Sequence, residues 1–287
     1  MRTLFYVSEH DNVDVRYILK TVLSLSASLI SSLKQNDGIF LNGKLCTVRE
    51  KCNKGDELKL VIPYCDNPYI ASNDVSCTVL YEDDDVVCFD KPADMPTHPS
   101  AGHKNDTLAN SALNYLRKNK DEYHVVTRLD RYTSGIVLVA KNAFSASRMC
   151  TKEYSLCMHK EYEGVCRGVF ETLSGTIEEP IGRCPDSVIK HCVRSDGKNA
   201  KTYFEFIKTT PKGNSHMRFK LHTGRTHQIR VHMQHIGHSL VDDFLYDDCA
   251  SQDKFFALHC SKIEFVHPFT GVKIKVTSDV PSYFNEK

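Results

Sequence analysis

The sequence predicts an α+β protein: a small α+β amino-terminal unit followed by a larger domain on a mixed, largely antiparallel sheet. Three observations lead there. Short apolar, β-type runs recur from residue 77 to 276, helical periodicity in that stretch is confined to three irregularly placed segments, and the first 62 residues read as a unit of their own. With 287 residues, 41% hydrophobic and 25% charged, the chain can bury a core and is neither disordered nor collagen-like. Length suggests two domains. The expected division is 1–62, a linker at 63–76 around the Pro-containing PYCDNPYIASN, and 77–287.

In the first unit, Val15, Ile18, Leu19, Val22 and Leu23 recur at helical spacing, with Asn12 as the cap. A second helix begins at Ser26 or Ser28, carries Leu29, Ile30 and Leu33, and ends at Asp37-Gly38, with Gly in the left-handed position. Asn42-Gly43 between apolar flanks is a two-residue hairpin signal, and Lys54-Gly55-Asp56 turns into a strand over 58–62. In the larger domain, strands are expected at 77–81, 86–89, 135–140, 162–169, 202–207, 217–221, 262–266 and 273–276. Helices are expected at 108–116, 143–154 and 226–236.

Several function classes drop out. Twelve cysteines lie scattered without a CxxC pair, which reads as reduced thiols in a cytoplasmic protein. The start MRTLFYVSEHDNVD turns polar too soon for a signal peptide, and no apolar run approaches the ~20 residues that span a bilayer. Residues 38–44 spell GxxxxGK, but Leu45 replaces the required Ser or Thr and the segment is a strand and hairpin turn, so it is not a phosphate loop. With no GxGxxG either, no nucleotide cofactor is expected.

Thirty-seven Lys and Arg balance 36 Asp and Glu. The balance hides an asymmetry: 198–238 holds eight Lys or Arg and one acid, Glu205, a local charge of +7. Acids cluster instead at 82–85 and at Asp242, Asp243, Asp247 and Asp248. Within the basic stretch, LHTGRTHQIRVHMQHIGH reads as a helix capped by Thr226, burying Ile229, Met233 and Ile236 and turning His227, Arg230 and Gln234 to a polar face. His232, His235 and His238 recur every three residues but lack a carboxylate partner, so structural histidines are expected and no metal. Upstream, Asp130 sits between Arg128 and Arg131 before an apolar strand, which favours an ionised, oriented carboxylate.

The stretch SLISSLKQNDGIFLNGKLCTVREKCNKGDELKL, with exposed Lys34, resembles the small αL RNA-binding motif named after the ribosomal protein S-four. The ordered strings FDKPADMPTHP, RLDRYTSGIVLVAK, HKEYEGVCRG, HTGRTHQIRVHMQHIGH and LHCSKIEFVHPFTG resemble the pseudouridine synthases of the RluA type across nearly all of 78–284. This resemblance implies the pseudouridine synthase fold and isomerisation of uridine without a cofactor. It implies Asp130 as catalytic aspartate, Tyr162 as active-site tyrosine, Arg230 as the arginine pairing with Asp130, and Arg128 at the RNA-binding face. Lys198, Lys201, Arg218, Lys220 and Arg225 join Arg128 and Lys34 as RNA-contact candidates by charge.

The isomerisation breaks a carbon–nitrogen bond and forms a carbon–carbon bond. Asp130 can attack the sugar or the ring, or assist a glycal intermediate. Tyr162 is expected to stack on the uracil and share in proton transfer, and the reacting base must leave its stack. Large-subunit ribosomal RNA is the expected substrate and transfer RNA the alternative, with a monomer as default and no obligate protein partner. Three departures from the family pattern stand out: Thr127 where His is common, Gly237-His238-Ser239 for Gly-His-Pro, and Asp242-Asp243 for Gly-Asp. They leave room for a non-catalytic RNA-binding or ribosome-assembly protein. A third reading pairs Asp130 with Asp243 as the two carboxylates of a glycoside-cleaving enzyme.

Overall fold

A computed structural model describes residues 2–64, 76–100, 102–250 and 255–287. Most of the expected linker, 65–75, lies outside the described residues.

The amino-terminal unit is built on a four-stranded antiparallel sheet. Its strands are β1 (Arg2–Val7), β3 (Ile39–Leu41), β4 (Lys44–Leu45) and β6 (Glu57–Ile62), in the order β1-β6-β3-β4, and the short pair β2 (Val13–Asp14) and β5 (Lys51–Cys52) lies beside it. Sequence reading missed β1, of which Leu4 alone is buried; the strand exists because β6 supplies its ladder from more than fifty residues away.

The expected first helix is a single turn, α1 (Val15–Tyr17), running into a π-helix at Ile18–Val22. The cap is Asp14, not Asn12, whose own φ is 51°. The second, α2 (Ala27–Gln35), is capped by Ser26, whose Oγ accepts from Leu29 N–H. Asp37, not Gly38, takes the left-handed conformation that ends it. Gly38 is needed for a different reason: a Cβ there would meet Val61 O at 2.5 Å. The Asn42-Gly43 turn has positive φ at both residues, as a type I′ hairpin requires.

The larger sheet has ten strands: β7 (Thr78–Glu82), β8 (Val86–Lys91), β9 (His124–Val125), β10 (Ser134–Ala140), β11 (His159–Cys166), β12 (Ser174–Ile177), β15 (Thr202–Thr209), β16 (Ser215–Leu221), β17 (Leu258–Val266) and β18 (Lys273–Thr277). The main order is β12-β15-β16-β11-β17-β10-β8-β7, with β18 on β17 and β9 on β10. A hairpin of β13 (Ile181–Arg183) and β14 (His191–Val193) stands apart from it. Every ladder is antiparallel except β10–β17, so the sheet is mixed and largely antiparallel.

All seven residues of β10 are buried, because strands flank it on both sides and both its faces are covered. Gly135 lies where β10 crosses closest to β17: a Cβ would meet Cys260 O at 2.4 Å. The helix α3 (Leu108–Leu116) joins this core through Leu108, Ala112 and Leu116. The helix expected at 143–154 is two, α4 (Ala143–Met149) and α5 (Lys152–Leu156), because Thr151 starts a new helix as its own cap.

The two sheets are joined through α4 and the strand turn at 83–85. Phe144 is buried among the apolar residues of the amino-terminal unit, Ser26 N–H donates to Ser147 Oγ, and Arg2 reaches Asp85 at 2.6 Å. No helix among the described residues is long and apolar enough to cross a membrane.

Candidate active site

Asp130 lies in the loop that leads from β9 into the buried strand β10. Thr97 pins that loop: its hydroxyl donates to Leu129 O at 2.8 Å and accepts from Leu129 N–H at 3.3 Å, while Thr133 N–H closes a turn onto Asp130 O at 3.1 Å. Beneath it lies Lys91, fully buried, donating to Pro92 O, Met95 O and Arg131 O at 2.8–3.0 Å. Burial pulls its pKa down to about 7 against the field of Asp130, yet three acceptors match the three N–H bonds of the ammonium form. The Asp130 carboxylate itself stays one-third exposed.

The expected flanking arginines do not hold it. Arg131 turns away to Asp94 at 2.7 Å, and Arg128 is exposed on the cleft wall. The partner is Arg230, from α6 (Gln228–His235), with Nη1 3.5 Å from Asp130 Oδ2. Arg230 is not on a polar face but points inward, its side chain 4% exposed. Its Nε and Nη2 donate to the two oxygens of fully buried Asp243 at 2.7 and 2.8 Å, a two-pronged pair that leaves Nη1 for Asp130. The rings of Phe256 and Tyr246 lie 4.6 and 4.8 Å from the guanidinium carbon. Burial opposes the charge, but the bonds and field of Asp243, then Asp130, outweigh it and raise the Arg230 pKa. This arrangement removes the carboxylate-pair reading: both Asp243 oxygens are engaged by Arg230, out of reach of solvent.

Tyr162 projects from β11 into the same cleft and is 5% exposed. Desolvation, then the fields of Cys260 and Asp130, drive its phenol pKa well above the ordinary value, so it remains a neutral phenol at physiological pH. A neutral phenol can stack and donate a hydrogen bond, but it is a poor base, which sharpens the proton-transfer role expected for it. Asp130, Tyr162, Arg230, Arg128, Arg225 and Lys160 all line one cleft of about 880 Å³, in the size range of small-ligand sites.

The remaining RNA candidates are dispersed. Arg218 and Lys220 alternate with Met217 and Phe219 along β16; since Phe219 pairs with Tyr162, they lie on the opposite sheet face and cannot reach the cleft. Arg218 sits 3.5 Å from Glu205, and Lys201 pairs with Glu178. Lys198 and Lys34 are exposed, away from the cleft lining, Lys34 on α2.

One further correction concerns α6. Its cap is His227, not Thr226, with φ 57° and no side-chain capping bond; His227 Nε2 lies 3.7 Å from Asp130 Oδ2, a neighbour that sequence spacing did not signal. The loop before it is held by buried Gln228, whose amide oxygen accepts from Arg225 N–H and Thr223 Oγ1. The histidine series does not converge: His232 bonds Thr202 Oγ1 and Glu179 O, and His238 stacks on Phe170 with Nδ1 at Arg167 O. Among the described residues the metal-compatible cluster is Asp83, Asp85 and His267, none of which lines the cleft. Its carboxylates are engaged by Tyr81, Arg2 and Ser145, so it fits a structural junction beside the amino-terminal unit.

Comparison with known proteins bears directly on this cleft. A sequence model described as RNA pseudouridylate synthase matches residues 85–235, the span that contains Asp130, Tyr162 and Arg230. The chain belongs to the RNA pseudouridylate synthase family. It is 33% identical over 263 residues to an uncharacterized RNA pseudouridine synthase, YjbO, of Bacillus subtilis (strain 168), covering 90% of this chain and 93% of that protein. It is 31% identical over 273 residues to ribosomal large subunit pseudouridine synthase D of Escherichia coli (strain K12), covering 89% and 83%. The solved structure of human RNA pseudouridylate synthase domain containing 1 superposes with TM-score 0.60 over 73% of this chain and 84% of that one, at 24% identity, which supports the fold. The protein is therefore an RNA pseudouridine synthase, an isomerase of the RluA type.

Two of the synthase's departures now have physical explanations. Thr127 is buried and its Oγ1 accepts from Leu138 N–H at 2.9 Å, securing the Asp130 loop to β10. Asp242 stands in the left-handed region at φ 62°, where glycine is the easy choice and Asp is among the tolerated alternatives; Lys287 pairs with it at 2.7 Å.

Proposed function

We propose that this synthase converts specific uridines of large-subunit ribosomal RNA to pseudouridine, with Asp130 as the reacting carboxylate. The observation that carries the reading is an accessible aspartate facing a cleft of nucleoside size, backed by an arginine that Asp243 holds in place. Asp130 acts ionised, whether by adding to the sugar or ring or by assisting glycal formation. Arg230 supports that charge and aims it. Tyr162 lies against the flipped uracil, and the exposed Arg128 at the rim enters the gap that the extruded base leaves. Arg225, also on the rim, contacts the phosphate backbone. The amino-terminal unit with Lys34 is the second RNA-contacting part, working as an αL-type module.

The ribosomal assignment draws on the similarity to the ribosomal large subunit pseudouridine synthase of Escherichia coli. Pseudouridine maps of ribosomal and transfer RNA, from cells with and without the protein, test it. A uridine that loses modification in large-subunit RNA supports the proposal; one lost only in transfer RNA transfers the assignment to that substrate. Asp130→Asn is expected to abolish pseudouridine formation, more than 10³-fold, while RNA binding is retained. Wild-type turnover by that variant rules Asp130 out as the reacting group. RNA binding with no uridine modified by the wild-type chain would favour a ribosome-assembly role.

A further inference from the structure

Among the described residues, Arg230 and His227 approach the Asp130 carboxylate, both at the same oxygen. Arg230 Nη1 is 3.5 Å and His227 Nε2 is 3.7 Å from Oδ2. These are ion-pair distances of the kind that tighten once substrate closes a site.

His227 is itself fixed in place. Its Nδ1 lies 2.8 Å from the Tyr246 hydroxyl, and that hydroxyl accepts from the backbone N–H of His191 at 2.9 Å. With an acceptor site taken by His191, Tyr246 can donate its one phenolic proton to His227 Nδ1, the tautomer that also turns a donor toward Asp130. The neutral imidazole then carries its hydrogen on Nε2, the atom that faces Asp130. Burial keeps the ring neutral, pulling its pKa down to about 4 against the opposing field of Asp130; Arg230 and His191 push the same way as burial, and Asp243 opposes.

The backbone points to the same role. A helix cap normally lies in the extended region and uses its side chain to accept from the first turn. His227 has φ 57° and ψ 23° and makes no such bond. A non-glycine residue held there is strained, and such strain tends to collect at functional sites. Here the conformation aims the ring at Asp130 and Tyr246.

We propose that His227 is a positioning residue: its Nε2–H, set by Tyr246, joins Arg230 in anchoring Oδ2 of Asp130, so that Oδ1 is the oxygen presented to the uridine. The proposal rests on Asp130 as the reacting carboxylate. It also gives the β13–β14 hairpin a part in the site, since His191 orients Tyr246 through its backbone.

The test is steady-state pseudouridine formation on total RNA from cells lacking the protein, which contains the unmodified natural substrate. Asn at 227 tolerates the left-handed backbone and can meet Tyr246 but is too short to reach Asp130, whereas Gln places an amide N–H near the position of Nε2. His227→Asn is expected to lower kcat about 10- to 100-fold with KM within about threefold, the pattern of a misplaced reacting group. His227→Gln is expected to recover most of that loss, and Tyr246→Phe to lower kcat severalfold. Wild-type kcat in His227→Asn, a raised KM with kcat unchanged, or a Gln variant no better than Asn overturns the proposal. If the Asn variant does not fold, unchanged kcat in Tyr246→Phe overturns it. Asp130→Asn is run beside these: an active Asp130→Asn removes the underlying reading as well, while an inactive one beside a wild-type His227→Asn removes the His227 role alone.

Discussion

Arg218 and Arg230 come from the same basic stretch, twelve residues apart, and each pairs with a carboxylate outside its own element. Arg218 lies on β16 beside Glu205 of β15, with side chains 38% and 42% exposed and 3.5 Å between them. Arg230 lies on α6 against Asp243, 4% and 0% exposed, with two hydrogen bonds of 2.7 and 2.8 Å. Water screens the first pair and leaves little net energy in it. In the second, neither charge can be removed without stranding the other in the interior. Local charge therefore located the functional segment, but burial decided which of its arginines serves the cleft.

The largest expected effect is at the buried pair. Asp243→Ala should lower the free energy of unfolding by about 3–5 kcal/mol in urea titration, because it leaves the buried guanidinium with the longer 3.5 Å contact to Asp130 in place of its two-pronged pair, and kcat should fall with it. A loss below about 1 kcal/mol would mean that Arg230 relaxes to another partner and that the contrast with Arg218 is false.

Next comes pH. Folded His227 stays neutral down to about pH 4, whereas the unfolded ring takes up a proton from about 6.5. The stability it contributes is whole above 6.5 and is lost as pH falls toward 4, on the order of 3 kcal/mol. Denaturation at stepped pH should show wild type losing more stability across that window than His227→Gln; parallel curves would place the acid sensitivity elsewhere. The smallest effect is Arg218→Gln, which should cost less than about 1 kcal/mol and leave pseudouridine formation unchanged. A marked kcat loss there would show that the far sheet face takes part after all.

Eight strands of the larger sheet were legible because their apolar runs are long enough to stand out singly, β10, buried throughout, being the clearest; β9 and β12, which have no such run, were missed. Elements that depend on distant partners were not. β1 has one buried residue and is made by β6, and the Val15–Val22 region adopts a π-turn that lets Val15, Ile18 and Leu19 all reach full burial. The break between α4 and α5 hangs on one capping hydroxyl, at Thr151. In the cleft, Asp130, Tyr162 and Arg230 were found through motif strings that keep their order. His227 and Lys91 stand in the same strings and Asp243 at the Gly-Asp position, but the strings did not give their roles, which consist of contacts across the fold.

The sequence by itself determined the α+β class, the reaction family and the three motif residues, since these rest on local periodicity and on ordered strings that survive without coordinates. Only the tertiary structure decided that Asp243 holds Arg230 and is not a second catalytic carboxylate. It also decided that Arg218 and Lys220 face away from the cleft, and that Arg230 and His227 approach the same oxygen of Asp130. The physical reason is that burial and direction are properties of packed neighbours. Charge is written residue by residue, but whether water or protein surrounds it is settled by segments that only the fold brings together.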